Sequence, residues 1–254
     1  MSARAKKELG QHFLVDENIL RVIERLVELA TDDVVLEIGP GRGILTRFLA
    51  ARVAHVHAVE IDRALEAELP TAENVELHWG DALALDLAEL RPAPTKLVAN
   101  LPYNVATPIV VESLDGLPNL EGWCVMVQRE VADRFFAAPE TKAYGAVSVL
   151  LQLATERTGF HPVARTVFRP RPNVDSALVA FRRRPLPDDY PAIKRVVQAA
   201  FAHRRKTLPN SLELAGAATR ERAAAALSAI GLDPGTRAEQ LRPMQFPELA
   251  RLLA

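Results

Sequence analysis

The stretch Val34-Val35-Leu36-Glu37-Ile38-Gly39-Pro40-Gly41-Arg42-Gly43-Ile44 decides the fold. Residues 34 to 38 read as a buried strand, the run breaks at Gly39, and a helical pattern opens near Ile44. Strand, glycine turn and helix in that order open a doubly wound parallel sheet. The alternation continues downstream with strand patterns at 55–59, 75–78, 97–99 and 123–127. Helical patterns begin at Arg63 and span 105–114 and 131–136. Upstream, Ile19, Leu20, Ile23, Leu26 and Val27 form one helical face behind Asp16, a suitable N-cap. Residues 154–160 and 176–181 read as two more strands, close enough to pair antiparallel at the far edge of the sheet. Pro185, Pro187 and Pro191 then mark a break, and the rest (193–202, 220–230, 247–253) has only helical period. The expected organisation is an α/β domain over residues 1–187 and a small α-helical domain over 188–254.

Composition agrees with a packed chain. The 254 residues are 49% hydrophobic and 25% charged, which supports a core and excludes a disordered composition. No repeat or low-complexity tract occurs. No apolar run approaches the roughly 18 residues of a membrane helix. The basic start is followed by Glu8 and no apolar stretch, which is not the pattern of a secretory signal. Cys124 is the single cysteine, so an intrachain disulfide and a cysteine-based zinc site are excluded, which fits a reducing cytoplasm. It lies in an apolar strand and reads as core. His55, His57 and His78 fall on strand positions and show no ligand-like spacing. The net charge of −1 is unevenly spread: Arg165 to Lys206 holds eleven Lys plus Arg against three acids, a local +8. That is a candidate nucleic-acid footprint, with Arg204, Arg205 and Lys206 as phosphate contacts and Arg4, Lys6 and Lys7 as the next candidates.

The chemistry gathers at strand ends. Ligands in open parallel sheets bind at the carboxyl ends of strands, and Gly39, Gly41 and Gly43 occupy the first such turn. Their G-x-G-x-G spacing departs from the G-x-G-x-x-G that seats a pyrophosphate. Glu60 ends the next strand 21 residues after Gly39, where a carboxylate accepts from ribose hydroxyls. A nucleoside ligand without a pyrophosphate is expected. Asp81, at the end of the third strand, could accept from an adenine amine of that ligand. The fourth strand ends in Asn100-Leu101-Pro102-Tyr103, which offers an amide acceptor, a backbone carbonyl held extended before proline, and a stacking ring. Those groups suit an adenine drawn out of its stack.

These segments, with LGQHFL (9–14), AVEID (58–62), GDAL (80–83), MVQREVADRF (126–135), VFRPRPNVDSALV (167–179) and FAHRRKTLPNSL (201–212), resemble the S-adenosylmethionine-dependent dimethyladenosine transferases of small-subunit ribosomal RNA, the KsgA type. The resemblance implies a Rossmann-like class I methyltransferase sheet and S-adenosylmethionine as cofactor, held by His12, Leu14, Gly39, Gly41, Glu60, Asp81 and Asn100. His12 stands where the family more often has Asn. It implies methyl transfer to adenine N6, with Asn100, Leu101, Pro102 and Tyr103 gripping the base and Phe168 covering its opposite face. It also implies dimethylation of two adjacent adenines in a hairpin near the 3′ end of small-subunit ribosomal RNA, a link to ribosome assembly, a cytoplasmic location and a monomer. Competing classes are a non-catalytic assembly checkpoint, a methylase of large-subunit ribosomal RNA, and a nicotinamide oxidoreductase. The glycine spacing and the lack of a hydride-side catalytic pair disfavour the last.

Overall fold

In a computed structural model, Lys6 and residues 9–254 are described. The elements are β1 (Phe13–Leu14), α1 (Glu17–Val27), β2 (Val34–Ile38), α2 (Ile44–Ala50), β3 (His55–Glu60), β4 (Val75–Trp79), β5 (Lys96–Asn100), α3 (Ala106–Gly116), β6 (Gly122–Gln128), α4 (Arg129–Phe135), α5 (Ala146–Ala154), β7 (Thr155–Val163), β8 (Phe168–Arg169), β9 (Ser176–Arg183), α6 (Tyr190–Ala202), α7 (Leu208–Leu214), α8 (Arg220–Ala229) and α9 (Phe246–Leu253). Among them no helix is long and apolar enough to cross a membrane.

Seven strands form one sheet in the order β4-β3-β2-β5-β6-β9-β7. The β4 to β6 pairs are parallel, and β9 joins β6 antiparallel with Cys124 opposite Ala180. From β2 the chain winds outward to β3 and β4, then returns to lay β5 on the other side of β2. The carboxyl ends of β2 and β5 therefore flank the switch point, where a crevice must open. One face of the sheet is covered by α1 and α2: Ile19, Ile23, Leu45 and Leu49 pack with Val35, Val56, Val98, Cys124 and Leu178. Cys124 is fully buried and its thiol is pushed up to about 12, so it is packing material.

Two short strands were not foreseen. β1 pairs antiparallel with β8, Leu14 opposite Phe168, and ties the N-terminal segment to a loop more than 150 residues away. The helix expected from Arg63 is a 3-10 turn over Arg63–Glu68, capped by the Asp62 side chain on Ala64 N–H and ended before Pro70.

The chain divides into two compact units, residues up to Ala132 with Arg157–Arg183, and Asp133–Glu156 with Arg184–Ala254. The break expected near residue 187 falls beside the second division. Contiguity assigns residues 133–156 to the first domain, and there the structure differs. α5 is apolar nearly all round, with Val149, Leu150, Leu151 and Leu153 buried. It packs on α6, where Tyr190 donates to the Leu150 carbonyl at 3.2 Å. A proline cluster marks where a chain leaves a domain, and it carries no trace of an earlier excursion.

Candidate active site

The crevice at the switch point is an open cleft. Its floor is the glycine turn. Gly39 and Gly41 have φ of +73° and +59°, and a Cβ on Gly41 would stand 2.9 Å from Phe13 Cδ1. Only glycine satisfies both the turn and that approach. The cleft is also lined by Glu37, Glu60, Asn100, Leu101, Pro102 and Tyr103, and by residues 9–14 of the N-terminal segment.

That segment is held by a tether at Asp62. Lys6 Nζ lies 2.7 Å from Asp62 Oδ1, and Gln11 Nε2 donates to Oδ2 at 2.9 Å. Burial alone would raise the Asp62 carboxyl, but Lys6, Gln11 and the Ala64 N–H hold it below its usual value.

Glu60 sits at the end of β3 and is buried. Its Oε2 accepts from Gly41 N–H at 3.1 Å, and Oε1 accepts from Ile61 and Asp62 N–H at 3.0 and 2.9 Å. Burial raises its pKa against these three donors. One carboxylate thus fixes the glycine turn to the neighbouring strand end while keeping lone-pair capacity for a ligand hydroxyl. Asp81 lies in an adjoining concavity whose walls include Gly39, Glu60 and Pro102. Its Oδ1 accepts from Leu83 N–H at 2.9 Å, an Asx turn.

Asn100 has a fixed orientation. Its Nδ2 donates to the His12 carbonyl at 3.0 Å, and since only the amine end of an amide can face a carbonyl, Oδ1 is the remaining acceptor. His12 is anchored in turn, Nδ1 lying 2.8 Å from the Pro170 carbonyl. Its ring lies 5.5 Å from that of Tyr103. The Tyr103 hydroxyl meets Ser176 Oγ at 2.7 Å, and burial raises its pKa.

Two expectations need correction. Phe168 does not face the cleft: the β1–β8 register turns its ring into the core with Leu14, Ile19 and Ile23, where it is fully buried. Arg204 is partly committed to its own unit, donating to the Tyr144 carbonyl at 2.7 Å with Glu239 3.6 Å away. Arg205 and Lys206 are exposed. Arg4 and Lys7 lie outside the described residues.

Sequence reasoning missed Glu37. It is fully buried in β2, lines the cleft, and its Oε2 has no hydrogen-bond partner among the described residues. Burial pushes its carboxyl up to about 8, helped by the nearby Glu60 and opposed by Thr46 and Arg47. An acid in the otherwise apolar run Val34–Ile38 was the available signal.

A family model described as ribosomal RNA adenine dimethylase matches residues 2–254. The chain belongs to that family. The dimethylase is 49% identical over 99% of its length to the ribosomal RNA small subunit methyltransferase A of Rubrobacter xylanophilus, covering 96% of that protein. It is 45% identical over 98% of its length to the protein of the same name from Thermobifida fusca, covering 91% of it. Among solved structures, the 23S rRNA methyltransferase ErmE is similar at TM-score 0.65 and 31% identity, over 95% of this chain and 99% of that one. A Plasmodium falciparum dimethyladenosine transferase shares the fold at TM-score 0.76 and 22% identity, over 94% and 96% of the two chains.

The dimethylase is an enzyme that uses S-adenosylmethionine, and its cleft fits that cofactor. The orphaned Glu37 oxygen leaves a hydrogen-bonding position open to a polar ligand, and the turn at Gly39 and Gly41 lets the backbone approach that ligand without a Cβ between. Glu60→Ala is expected to weaken cofactor binding by about 5- to 150-fold, the equivalent of about 1–3 kcal/mol for a lost buried acceptor. Calorimetry with S-adenosylhomocysteine checks it, and unchanged affinity would remove Glu60 from the site.

Proposed function

We propose that the dimethylase acts on small-subunit ribosomal RNA, at the N6 amines of two adjacent adenines in a hairpin near the 3′ end, during assembly of the subunit in the cytoplasm. It acts as a monomer. Identities of 49% and 45% to small-subunit methyltransferases, against 31% to a 23S enzyme, support the small subunit as target. The observation that carries the chemistry is the orientation of Asn100, whose donor end is held by the His12 carbonyl.

S-adenosylmethionine, when bound, supplies an electrophilic sulfonium methyl. His12, Leu14, Gly39, Gly41, Glu60 and Asp81 hold it. What the protein adds on the RNA side is position. An adenine amine is a weak nucleophile because its lone pair is delocalised into the ring. Asn100 Oδ1 and the Leu101 carbonyl accept its two hydrogens, draw them from the ring plane and localise the lone pair. Pro102 keeps the Leu101 backbone extended, and the Tyr103 ring stacks on the flipped base. A monomethylated amine retains one hydrogen for the same acceptors, so a second transfer uses the same geometry. Comparing transfer to unmodified small-subunit and large-subunit RNA tests the target; preference for the large subunit would reverse the assignment.

Arg205 and Lys206 supply phosphate contacts in this reading, with Arg204 contributing less because of its internal partners. Replacing Arg205 and Lys206 by Gln is expected to weaken RNA binding at every sequence and to flatten the slope of log affinity against log salt by up to about 2. Cofactor affinity is expected to stay the same. Parallel salt lines would move the footprint elsewhere.

A further inference from the structure

The histidines that lacked ligand spacing in the sequence are brought together by strand register. β3 and β4 pair in parallel with His57 opposite Glu76 and Val59 opposite His78. By the two-residue alternation of a strand, His55, His57, Glu76 and His78 then share one face of the sheet, whereas Glu60 has the other parity. One ligand atom each from His55, His57 and Glu76 lies within 4.8 Å of the others. Glu76 Oε2 is 3.7 Å from His55 Nε2 and 3.6 Å from His57 Nδ1. His78 Nε2 is 3.0 Å from His57 Nδ1 and 3.8 Å from Glu76 Oε1. Ligands bound tetrahedrally at the usual Zn–N distance of about 2.0–2.1 Å stand about 3.3 Å apart, which these separations bracket.

Two further observations favour a cation over a closed hydrogen-bond network. His57 Nε2 lies 2.9 Å from the Pro92 carbonyl, so Nε2 carries the proton and the Nδ1 lone pair faces the cluster. A backbone carbonyl holding the far nitrogen is the usual outer support of a metal-binding histidine. His55 Nε2 is a buried atom with no hydrogen-bond partner among the described residues, so the cluster leaves a nitrogen unsatisfied. Glu76, about half exposed, leaves a path for an ion to enter.

We propose that His55, His57, His78 and Glu76 form a site for a divalent transition-metal ion of the Zn²⁺ class, fastening the edge strand β4 to β3 and to the loop at Pro92. The site is separate from the cleft and takes no part in methyl transfer. The test uses the full chain stripped with EDTA and titrated with Zn²⁺ against a chromogenic chelator, with Co²⁺ as spectroscopic probe. Expected are one ion per chain, the intense visible bands of tetrahedral Co²⁺, and a thermal midpoint that rises with Zn²⁺ concentration. His57 is fully buried and its replacement could unfold the chain, so the informative variants are His55→Gln and Glu76→Gln. Each should weaken Zn²⁺ binding at least tenfold and remove the Co²⁺ bands, with methyl transfer unchanged. Absence of stoichiometric uptake overturns the proposal, and so does uptake that survives both variants, which would mean an adventitious ion held by other histidines.

Discussion

Asn100→Ala is expected to lower single-turnover methyl transfer by about 100-fold or more while leaving RNA affinity and the fold largely intact. The magnitude follows from deleting one preorganised hydrogen-bonding group that acts on a developing charge. The substitution removes the proposed acceptor for one N6 hydrogen and also frees the His12 carbonyl from its donor. The second effect loosens the segment that lines the cleft, so some cofactor affinity is expected to go as well. Asn100→Asp separates the two: it keeps an acceptor oxygen in place but sets a carboxylate against a carbonyl. Quenched-flow transfer at saturating cofactor reads the chemical step alone. A rate near that of the wild type would show that Asn100 does not act on the amine.

Glu37→Gln is expected to make the fold less sensitive to alkali. The Glu37 carboxyl is raised from 4.5 to about 8 in the folded chain because it is buried. Between those values the unfolded chain has lost the proton and the folded chain has kept it, so stability falls as pH rises through the window. Each pH unit costs up to about a factor of ten in the folding constant. The contribution is fully present below about pH 4.5 and lost above about 8. Gln cannot ionise, so the variant should lack this slope, and its advantage over the wild type should grow from pH 5 to pH 8 and then level off. Other titrations are common to both chains and cancel in the difference. Denaturant unfolding across that range measures it; a difference independent of pH would show Glu37 ionised in the native state.

What could be read from the sequence was what short-range patterns encode. The apolar runs that became β2, β3, β5 and β6 are buried on both faces and end at Ile38, Glu60, Asn100 and Gln128, so strand ends, and hence the cleft, followed from parallel winding. What escaped was set by contacts distant in the chain. β1 and β8 have two residues each and exist because they pair with one another. That pairing, invisible in either segment, sends Phe168 into the core instead of the cleft. The histidine cluster has the same cause, since spacing along the chain shows nothing until β3 and β4 are in register. α5 escaped because an all-apolar helix has no polar face to give it a period. Glu37 was the one miss with a local signal.

The most direct test of the account is to incubate unmodified small-subunit ribosomal RNA with the dimethylase and isotopically labelled S-adenosylmethionine, digest it to nucleosides and identify the labelled product by mass spectrometry. The account predicts N6,N6-dimethyladenosine, with monomethyladenosine as a transient precursor and both nearly abolished by Asn100→Ala. Label on a ribose hydroxyl or a ring nitrogen, or N6 labelling undiminished in that variant, would contradict it.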